Sequence, residues 1–272
     1  MGGLPEGHSY RFTHAIVRTP GASAVDGLRT ANRGAPDVPA FRGEHADYVA
    51  SLERAGLQVR TLPALEDYPD SVFVEDVALC LPEGAIVLRP GAPSRSGEAA
   101  AIEPALREAF TLVKTLPPRG TVDGGDILVT ETTVLVGLSS RTGRAGFEGL
   151  AAALSPWGYA AQAVPLPAGV LHLKSDCSLL DEETILASPR LAKAECFKRF
   201  RVLSTPAGEE PAANAVRVNE TVLLADGYPR TAELVSQLGF TIQCVPVGQA
   251  ATLDGGLTCL SLRFTESYSR AL

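Results

Sequence analysis

Four short polar segments of this chain carry residue types that bind and attack a planar cation. Carboxylates stand in residues 70–76 and 123–126, His172 lies in the segment VLHLK, and Cys259 ends the polar run 254–259. A thiolate is a strong nucleophile, and an imidazole beside it acts as acid and base. Carboxylates hold a planar cation through charge-assisted hydrogen bonds. Together these residue types predict the binding of a planar cation and nucleophilic attack on it.

Each segment taken alone also fits a purely structural role. The pair Glu75-Asp76 fits one exposed face of a strand, and Asp-Gly-Gly before a strand fits a turn with positive φ. His172 fits a satisfied core histidine, and Cys259 fits a buried strand cysteine. The chemical interpretation therefore depends on whether the fold brings the four segments to one place.

A recurring pattern of helix, short β-rich run and proline indicates that one structural unit is repeated. The prolines that end these runs recur about every 40–54 residues and are Pro63, Pro117, Pro165, Pro206 and Pro246. Proline cannot donate to a β-ladder, so it is suited to the end of a strand. Each proline is followed by a polar loop, and equivalent loops in a ring of modules meet at one centre.

The repeat predicts the order of the strands and helices. Hairpins are predicted at residues 71–90, 126–138, 172–188 and 214–225. The fifth pair is split, because the C-terminal strand LTCLSLRF is expected to pair with the N-terminal FTHAIVRTP and to close the ring without an exposed sheet edge. Helices are predicted at about 41–55, 98–110, 142–154, 190–200 and 230–238.

The predicted fold class is α/β, a five-bladed and pseudo-fivefold α/β propeller of ββαβ modules, with residues 1–272 as a single catalytic domain. A doubly wound parallel sheet is the alternative. It would place a glycine fingerprint after the first strand, and this sequence contains no GxGxxG, GxxxxGK[ST], GxSxG or HExxH motif.

Composition excludes several classes of partner. The net charge of −7 opposes nucleic-acid binding, which requires a basic surface. No apolar run approaches the roughly 20 residues that span a bilayer, and no signal-peptide pattern begins the chain, so no membrane association is expected. The five cysteines include no CxxC pair, which indicates reduced thiols and a cytoplasmic location.

Longer motifs, spread from about Phe12 to Phe264, resemble the dimethylarginine dimethylaminohydrolase family. They are YPDSVFVEDVALC, RPGAPSR, TVDGGD, GLSSRTGRAG, LHLKS, AANAVRVNE, YPRT and DGGLTCLSLRF. The resemblance implies the five-bladed propeller of the guanidino-group modifying superfamily. It also implies hydrolysis of asymmetric dimethylarginine and monomethylarginine to citrulline plus dimethylamine or methylamine, through a covalent cysteine thiouronium intermediate. A small-molecule substrate is implied, with no cofactor and no metal; monomer and homodimer both remain open.

By this resemblance, Cys259 is the nucleophile and His172 is the acid and base that serves the leaving amine and the attacking water. Asp123 orients His172 and, with Asp76, holds the guanidinium. Asp126 is expected to be structural. Cys259 and His172 would bind stray zinc only as an inhibitor.

The same resemblance implies a set of contacts with the amino-acid end of the substrate. Arg95 and Arg141 would bind the α-carboxylate, and Asp70 would take the α-amino group. The backbone oxygens of Leu28 and Leu253 would be further contacts. Leu28 lies in a glycine-containing loop that resembles the family's lid.

Glu75 is expected beside the guanidinium, and two positions depart from related patterns. Position 123 is Asp, where many bacterial members of the family have Glu. Arginine deiminases of the superfamily carry an acidic residue two positions after the catalytic histidine, and this chain has Lys174 there. The alternatives left open are an arginine deiminase, an amidino transferase, a hydrolase of another N-substituted guanidine, and a noncatalytic propeller that binds an amino acid.

Overall fold

The computed structural model describes residues 7–31 and 33–265, and within them it contains five three-stranded sheets. The strands are β1 (His14–Arg18), β2 (Gln58–Leu62), β3 (Ala78–Leu81), β4 (Gly84–Val87), β5 (Val113–Thr115), β6 (Ile127–Val129), β7 (Thr133–Leu138), β8 (Ala160–Pro165), β9 (Cys177–Leu179), β10 (Thr184–Ala187), β11 (Arg201–Ser204), β12 (Val216–Val218), β13 (Thr221–Ala225), β14 (Thr241–Val245) and β15 (Leu262–Phe264). The helices are α1 (Val38–Arg54), α2 (Glu98–Ala109), α3 (Arg144–Leu154), α4 (Pro229–Ser236) and α5 (Gly248–Ala251).

All five sheets have the same topology. The middle strand pairs antiparallel with one neighbour and parallel with the other, as β4 does with β3 and β5. The sheet β15-β1-β2 joins the two ends of the chain, with His14 opposite both Phe264 and Gln58. The predicted pairing of first and last strands is therefore confirmed. The expectation that this pairing leaves no sheet edge is wrong, because the strands of the described residues pair only inside their own sheets, each of which keeps two edge strands.

Side-chain packing, rather than strand pairing, connects neighbouring sheets. The middle strands are buried on both faces, which explains their continuous apolar runs. In β7, Val134 and Val136 pack towards the β3-β4-β5 sheet, while Leu135 packs towards the β9-β10-β11 sheet. Five such cores each join two consecutive sheets, and the last joins the β12-β13-β14 sheet to β1 through Val17 and Leu223.

Four of the five predicted helices are confirmed, and α1 shows how the sequence sets a boundary. The side chain of Asp37 caps α1 by accepting the amide hydrogen of Ala40 at 2.8 Å. The predicted helix at 190–200 is wrong, because turns and a 3-10 segment at Glu195–Phe197 replace it. Its buried anchors, Leu191 and Phe197, are six residues apart, a spacing that does not share one helix face.

A 3-10 turn precedes the first strand of every sheet in the described residues. The turns are Val74–Val77, Gly124–Asp126, Leu173–Ser175, Glu210–Ala213 and Thr258–Leu260. The sequence prediction that strands begin at residues 71 and 172, and that Cys259 lies in a strand, is therefore wrong: those positions lie in or before the turns.

The five turns contact one another in chain order around a ring. The ring closes where the amide hydrogen of Thr258 donates to Asn214 Oδ1 at 3.1 Å and Asn214 Nδ2 donates to Thr258 Oγ1 at 3.1 Å. The predicted convergence of equivalent loops is thus found. Among the described residues, no helix is long and apolar enough to cross a membrane.

Candidate active site

A cavity of about 110 Å³ opens over the ring of turns and gathers most of the predicted site residues. Eight of the ten line it: Leu28, Asp70, Asp76, Arg95, Arg141, His172, Leu253 and Cys259. Asp123 lies just behind the lining and reaches His172, and Glu75 lies on the other side of the ring. The fold therefore brings a thiol, an imidazole and several carboxylates to one place.

His172 and Asp123 form a buried pair. The distance between His172 Nε2 and Asp123 Oδ2 is 3.1 Å, and Asp123 Oδ1 accepts the amide hydrogen of Gly91 at 2.6 Å. Burial lowers the pKa of His172, but the hydrogen bond to Asp123 and the charges of Asp76 and Asp126 raise it overall to about 9. His172 is therefore an imidazolium at neutral pH, ready to donate a proton.

Cys259 stands in the Thr258–Leu260 turn with two weak donors near its sulfur. The amide nitrogen of Gly256 lies 3.5 Å from Sγ, and Thr258 Oγ1 lies 3.9 Å from it. Burial, followed by the negative charges of Glu75 and Asp76, raises the pKa of the thiol to about 12. The resting sulfur is thus protonated, and a cation in the cavity would favour the thiolate.

Asp76 is held between backbone and guanidinium. Its Oδ1 accepts the amide hydrogen of Gly125 at 2.9 Å, and its Oδ2 pairs with Arg95 Nη1 at 2.5 Å. Burial raises the pKa of Asp76, but the charges of Arg95 and His172 lower it overall to about 2. Asp76 therefore carries a negative charge at the cavity at neutral pH.

The two predicted carboxylate-binding arginines differ in their surroundings. Arg95 is 4% exposed, pairs with Glu98 at 2.8 Å and donates to the carbonyls of Asp70 and Phe73. Arg141 is 21% exposed, and its nearest ion pair in the described residues is with Asp123 at 3.8 Å. The N–H donors of Arg95 are thus bonded to acceptors of the protein itself, whereas Arg141 faces the cavity.

The amino-acid end of the cavity is formed by Asp70 and two backbone segments. Asp70 Oδ1 accepts the amide hydrogen of Leu28 at 2.9 Å, which ties the loop around Leu28 to the cavity wall. Burial raises the pKa of Asp70. Leu253 also lines the cavity, in the segment that leads to Cys259.

Glu75 lines a second cavity, of about 110 Å³, on the other side of the ring. Its Oε1 pairs with Lys174 Nζ at 2.6 Å and with Arg263 Nη2 at 3.3 Å. Its Oε2 is buried without a hydrogen-bond partner among the described residues. The predicted place of Glu75 beside the guanidinium therefore stays a prediction.

Known proteins match this chain over nearly its whole length. A family model described as arginine deiminase matches residues 54–227. A dimethylarginine dimethylaminohydrolase of Pseudomonas aeruginosa is 37% identical over 254 residues, covering 93% of this chain and all of that protein. The chain belongs to the dimethylarginine dimethylaminohydrolase family.

Two further comparisons agree with this assignment. The enzyme of Streptomyces coelicolor with the same name is 36% identical over 93% of this chain and 98% of its own length. A solved structure of the Pseudomonas aeruginosa enzyme, a Cys-to-Ser variant complexed with citrulline, superposes with a TM-score of 0.91, covering 94% of this chain and all of that one.

In this member of the family, Asn214 joins two turns of the ring, a role that the sequence patterns did not indicate. Its side chain joins the turn of Cys259 to the turn of His172, because Nδ2 also donates to the carbonyl of Lys174 at 2.8 Å. The signal available was position: Asn214 follows Pro206 where the other modules carry their polar residues.

The paired glycines of the site were also misinterpreted. None of them has positive φ; they permit close approach instead. A Cβ on Gly124 would lie 1.9 Å from the carbonyl oxygen of Glu75, and one on Gly125 would lie 2.9 Å from the His172 ring. The turns of the family member thus pack too tightly for any side chain at these positions.

Asp76, Asp123 and His172 present ligand atoms within 4.8 Å of one another, a geometry that suits a divalent cation. Both carboxylates also accept backbone hydrogen bonds, from Gly125 and Gly91. The expected absence of a metal from the reaction stays a prediction.

Proposed function

We propose that this protein hydrolyses asymmetric dimethylarginine and monomethylarginine to citrulline, with release of dimethylamine or methylamine. The observation that carries the proposal is a single cavity in which the Cys259 thiol, the His172–Asp123 pair and the Asp76 carboxylate converge. The names of the relatives and the citrulline bound to one of them support it.

In the first half-reaction, the guanidinium cation offsets the negative charge around Cys259, and the thiol releases its proton to solvent water. The sulfur then attacks the guanidinium carbon and forms a C–S bond. His172, as the imidazolium, donates its proton to the methylated nitrogen while the C–N bond breaks. Dimethylamine leaves, and a thiouronium remains on Cys259.

In the second half-reaction, His172 is neutral and takes a proton from water. The oxygen of that water adds to the thiouronium carbon. The C–S bond then breaks and its electron pair returns to sulfur, while the hydroxyl proton of the adduct passes to that sulfur. The carbon becomes the ureido carbonyl of citrulline, and Cys259 is again a thiol. Asp123 keeps the ring of His172 in place during both steps.

The remaining side chains have proposed substrate contacts that follow from their positions. Asp76 grips guanidinium N–H groups at the cavity floor, with Asp123 and Glu75 behind it. The amino-acid end of the substrate is proposed to contact five residues: Leu28, Asp70, Arg95, Arg141 and Leu253. Arg141, with its partly exposed guanidinium, is the better placed of the two arginines for a carboxylate.

We also propose a five-bladed α/β propeller with pseudo-fivefold symmetry for residues 1–272 as one catalytic domain. The five cores between consecutive sheets and the ring of turns support this arrangement. Because all five cysteines are free thiols, a cytoplasmic location is proposed. The partner is a small methylated arginine, in a monomer or a homodimer.

Arginine deimination is the second candidate, because the matching family model bears that name. A deiminase holds every guanidinium nitrogen, whereas this chain has Lys174 at the position of one acidic partner, with its ammonium bound to Glu75 at 2.6 Å. Arginine would leave buried N–H groups imperfectly paired, at about 1–3 kcal/mol per group.

Selectivity tests the proposal. We expect kcat/KM for asymmetric dimethylarginine and monomethylarginine to exceed that for arginine by about tenfold to a hundredfold or more. Cys259→Ser, which cannot form the covalent intermediate efficiently, should abolish turnover and keep citrulline binding. Equal turnover of arginine would replace the assignment with a deiminase. No turnover by the wild-type protein, with binding retained, would favour a noncatalytic binding protein.

A further inference from the structure

The loop around Leu28 is fastened over the cavity at two alternate residues. The amide hydrogen of Leu28 donates to Asp70 at 2.9 Å, and that of Thr30 donates to the carboxylate of Asp254. Leu28 and Thr30 both line the cavity. The first acceptor belongs to the predicted site, whereas nothing so far assigns a role to the second.

Asp254 has an unusual backbone. Its φ is +58°, and among the described residues Asn219 is the one other non-glycine residue with positive φ. Most L-residues are strained in this conformation, aspartate and asparagine less than the others, and glycine would adopt it without strain. Because the chain holds a strained aspartate here, just before Gly255, we look to its side chain for the compensation.

Asp254 also stands at a boundary between two cavities. The residues that line both the candidate active site and its larger neighbour are Thr30, Leu171, Asp254 and Gly255. The hydrogen bond from Thr30 to Asp254 is therefore part of the wall that separates them.

We propose that Asp254 is a positioning residue that fastens the Leu28 loop to the segment of Cys259. By accepting the amide hydrogen of Thr30, it fixes the Leu28 loop against the segment that contains Leu253, so that the backbone carbonyls of both residues are in place for the substrate's ammonium group. This role rests on the proposed function, which supplies the identity of the ligand. The fastening itself is a property of the protein without ligand.

Three substitutions of Asp254 distinguish the effect of its hydrogen bond to Thr30 from the effects of backbone strain and of the carboxylate charge. Asp254→Gly removes the acceptor and the strain. Asp254→Ala removes the acceptor and keeps the strain. Asp254→Asn tolerates positive φ and keeps a side-chain oxygen acceptor, but it removes the charge.

The first readout is amide hydrogen exchange of residues 27–31 in the ligand-free protein. We expect faster exchange in Asp254→Gly and Asp254→Ala, and near wild-type exchange in Asp254→Asn. The second readout is the KM and kcat for asymmetric dimethylarginine. Loss of the fastening should raise KM by about tenfold in the Gly and Ala variants, with kcat within about threefold, while the Asn variant stays within about threefold in both.

The outcomes are distinct. Wild-type exchange and KM in Asp254→Gly would overturn the proposal. An Asn variant as weak as the Gly variant would mean that the carboxylate charge binds the ammonium directly, which also overturns it. If the wild-type protein hydrolyses no methylated arginine, the proposed function fails, and the exchange experiment still decides whether Asp254 fastens the loop.

Discussion

Burial and neighbouring charges control the protonation of the two groups that carry the proposed chemistry. The pKa of Cys259 is raised to about 12 and that of His172 to about 9, so the resting pair is a neutral thiol beside an imidazolium. One carboxylate acts on both groups, because the charge of Asp76 raises the pKa of His172 and that of the Cys259 thiol. In the proposed reaction, a guanidinium cation that enters the cavity counters this effect on the sulfur, so the nucleophile forms when the substrate is present.

The raised pKa of His172 predicts a pH-dependent contribution to stability. The folded pKa, about 9, lies above the ordinary 6.5, so the contribution is fully present below about pH 6.5 and is lost as the pH rises through about 9. We expect the difference in unfolding free energy between the wild-type protein and His172→Gly to shrink by on the order of 3 kcal/mol over that range. Urea unfolding at several pH values measures it, and a constant difference would contradict the assigned pKa.

The two cavity arginines provide a matched pair of substitutions. Arg95→Ala leaves Asp76 and Glu98 buried without their cation, and we expect a loss of about 3–5 kcal/mol in unfolding free energy. Arg141→Ala removes a long, partly exposed pair, and we expect less than about 1 kcal/mol. Urea unfolding compares them.

Substrate binding completes the comparison of the arginines. We expect Arg141→Ala to weaken the binding of a free amino-acid substrate by about 1.5–3 kcal/mol. The binding of a decarboxylated analogue should be nearly unaffected. Equal losses for both ligands, measured as kcat/KM, would assign Arg141 a structural role instead of carboxylate binding.

At the scale of elements, the short 3-10 turns position more of the candidate site residues than the helices do. Each turn ends directly before a first strand or is separated from it by at most two residues, so its polar residues lie at the same end of every sheet. The turns approach so closely that Gly124 contacts the backbone of Glu75, and Gly256 contacts the side chain of Asn214. The glycines thus serve packing between modules.

Gly124→Ala tests this packing, with Gly43→Ala as the control. A Cβ at Gly124 would lie 1.9 Å from the carbonyl oxygen of Glu75, so the turn has to shift, and we expect lower stability together with at least tenfold lower kcat/KM. Gly43 lies within α1 with no neighbour within 4 Å of its Cβ position, and alanine there should stabilise by about 0.5–1 kcal/mol. Thermal unfolding and turnover of both variants decide it; equal behaviour would contradict the packing argument.

For the whole molecule, the N-terminal segment joins modules that are distant in sequence. Ser9 Oγ donates to Glu131 at 2.6 Å, Tyr10 OH donates to Glu182 at 2.5 Å, and the amide hydrogen of Phe12 donates to Asn219 at 3.0 Å. These three acceptors lie in the hairpin turns that end the first strands of three sheets, at the far end from the candidate active site. Phe12 and Ser9 also line the cavity behind Glu75.

Glu131→Ala tests this fastening of the modules. The variant loses the acceptor of Ser9 Oγ and of the Gly7 amide hydrogen, and we expect about 1–3 kcal/mol lower stability and earlier proteolysis at the N-terminal segment, with unchanged KM. Glu103→Ala, which removes an exposed helical pair with Arg107, should cost less than about 0.5 kcal/mol. If both variants unfold alike, the segment does not hold the modules together.

The sequence by itself determined the family, the order of the modules and the identity of the residues that meet at the ring. Those properties follow from local patterns: apolar runs for middle strands, prolines after third strands, and polar segments such as Asp123–Asp126 at equivalent places. The pairing of β15 with β1 followed as well, because each lacked an antiparallel hairpin partner in its own part of the chain.

Only the tertiary structure decided what depends on distances between modules. Residue types did not tell that Glu75 faces Lys174 and Arg263 behind the ring, that Arg95 is enclosed by acceptors, or that Asp254 reaches Thr30. Nor did they show which side chains pack between neighbouring sheets, because those contacts join residues of different modules. Charge, burial and close approach are properties of neighbours, and neighbours from different modules are defined only after the chain has folded.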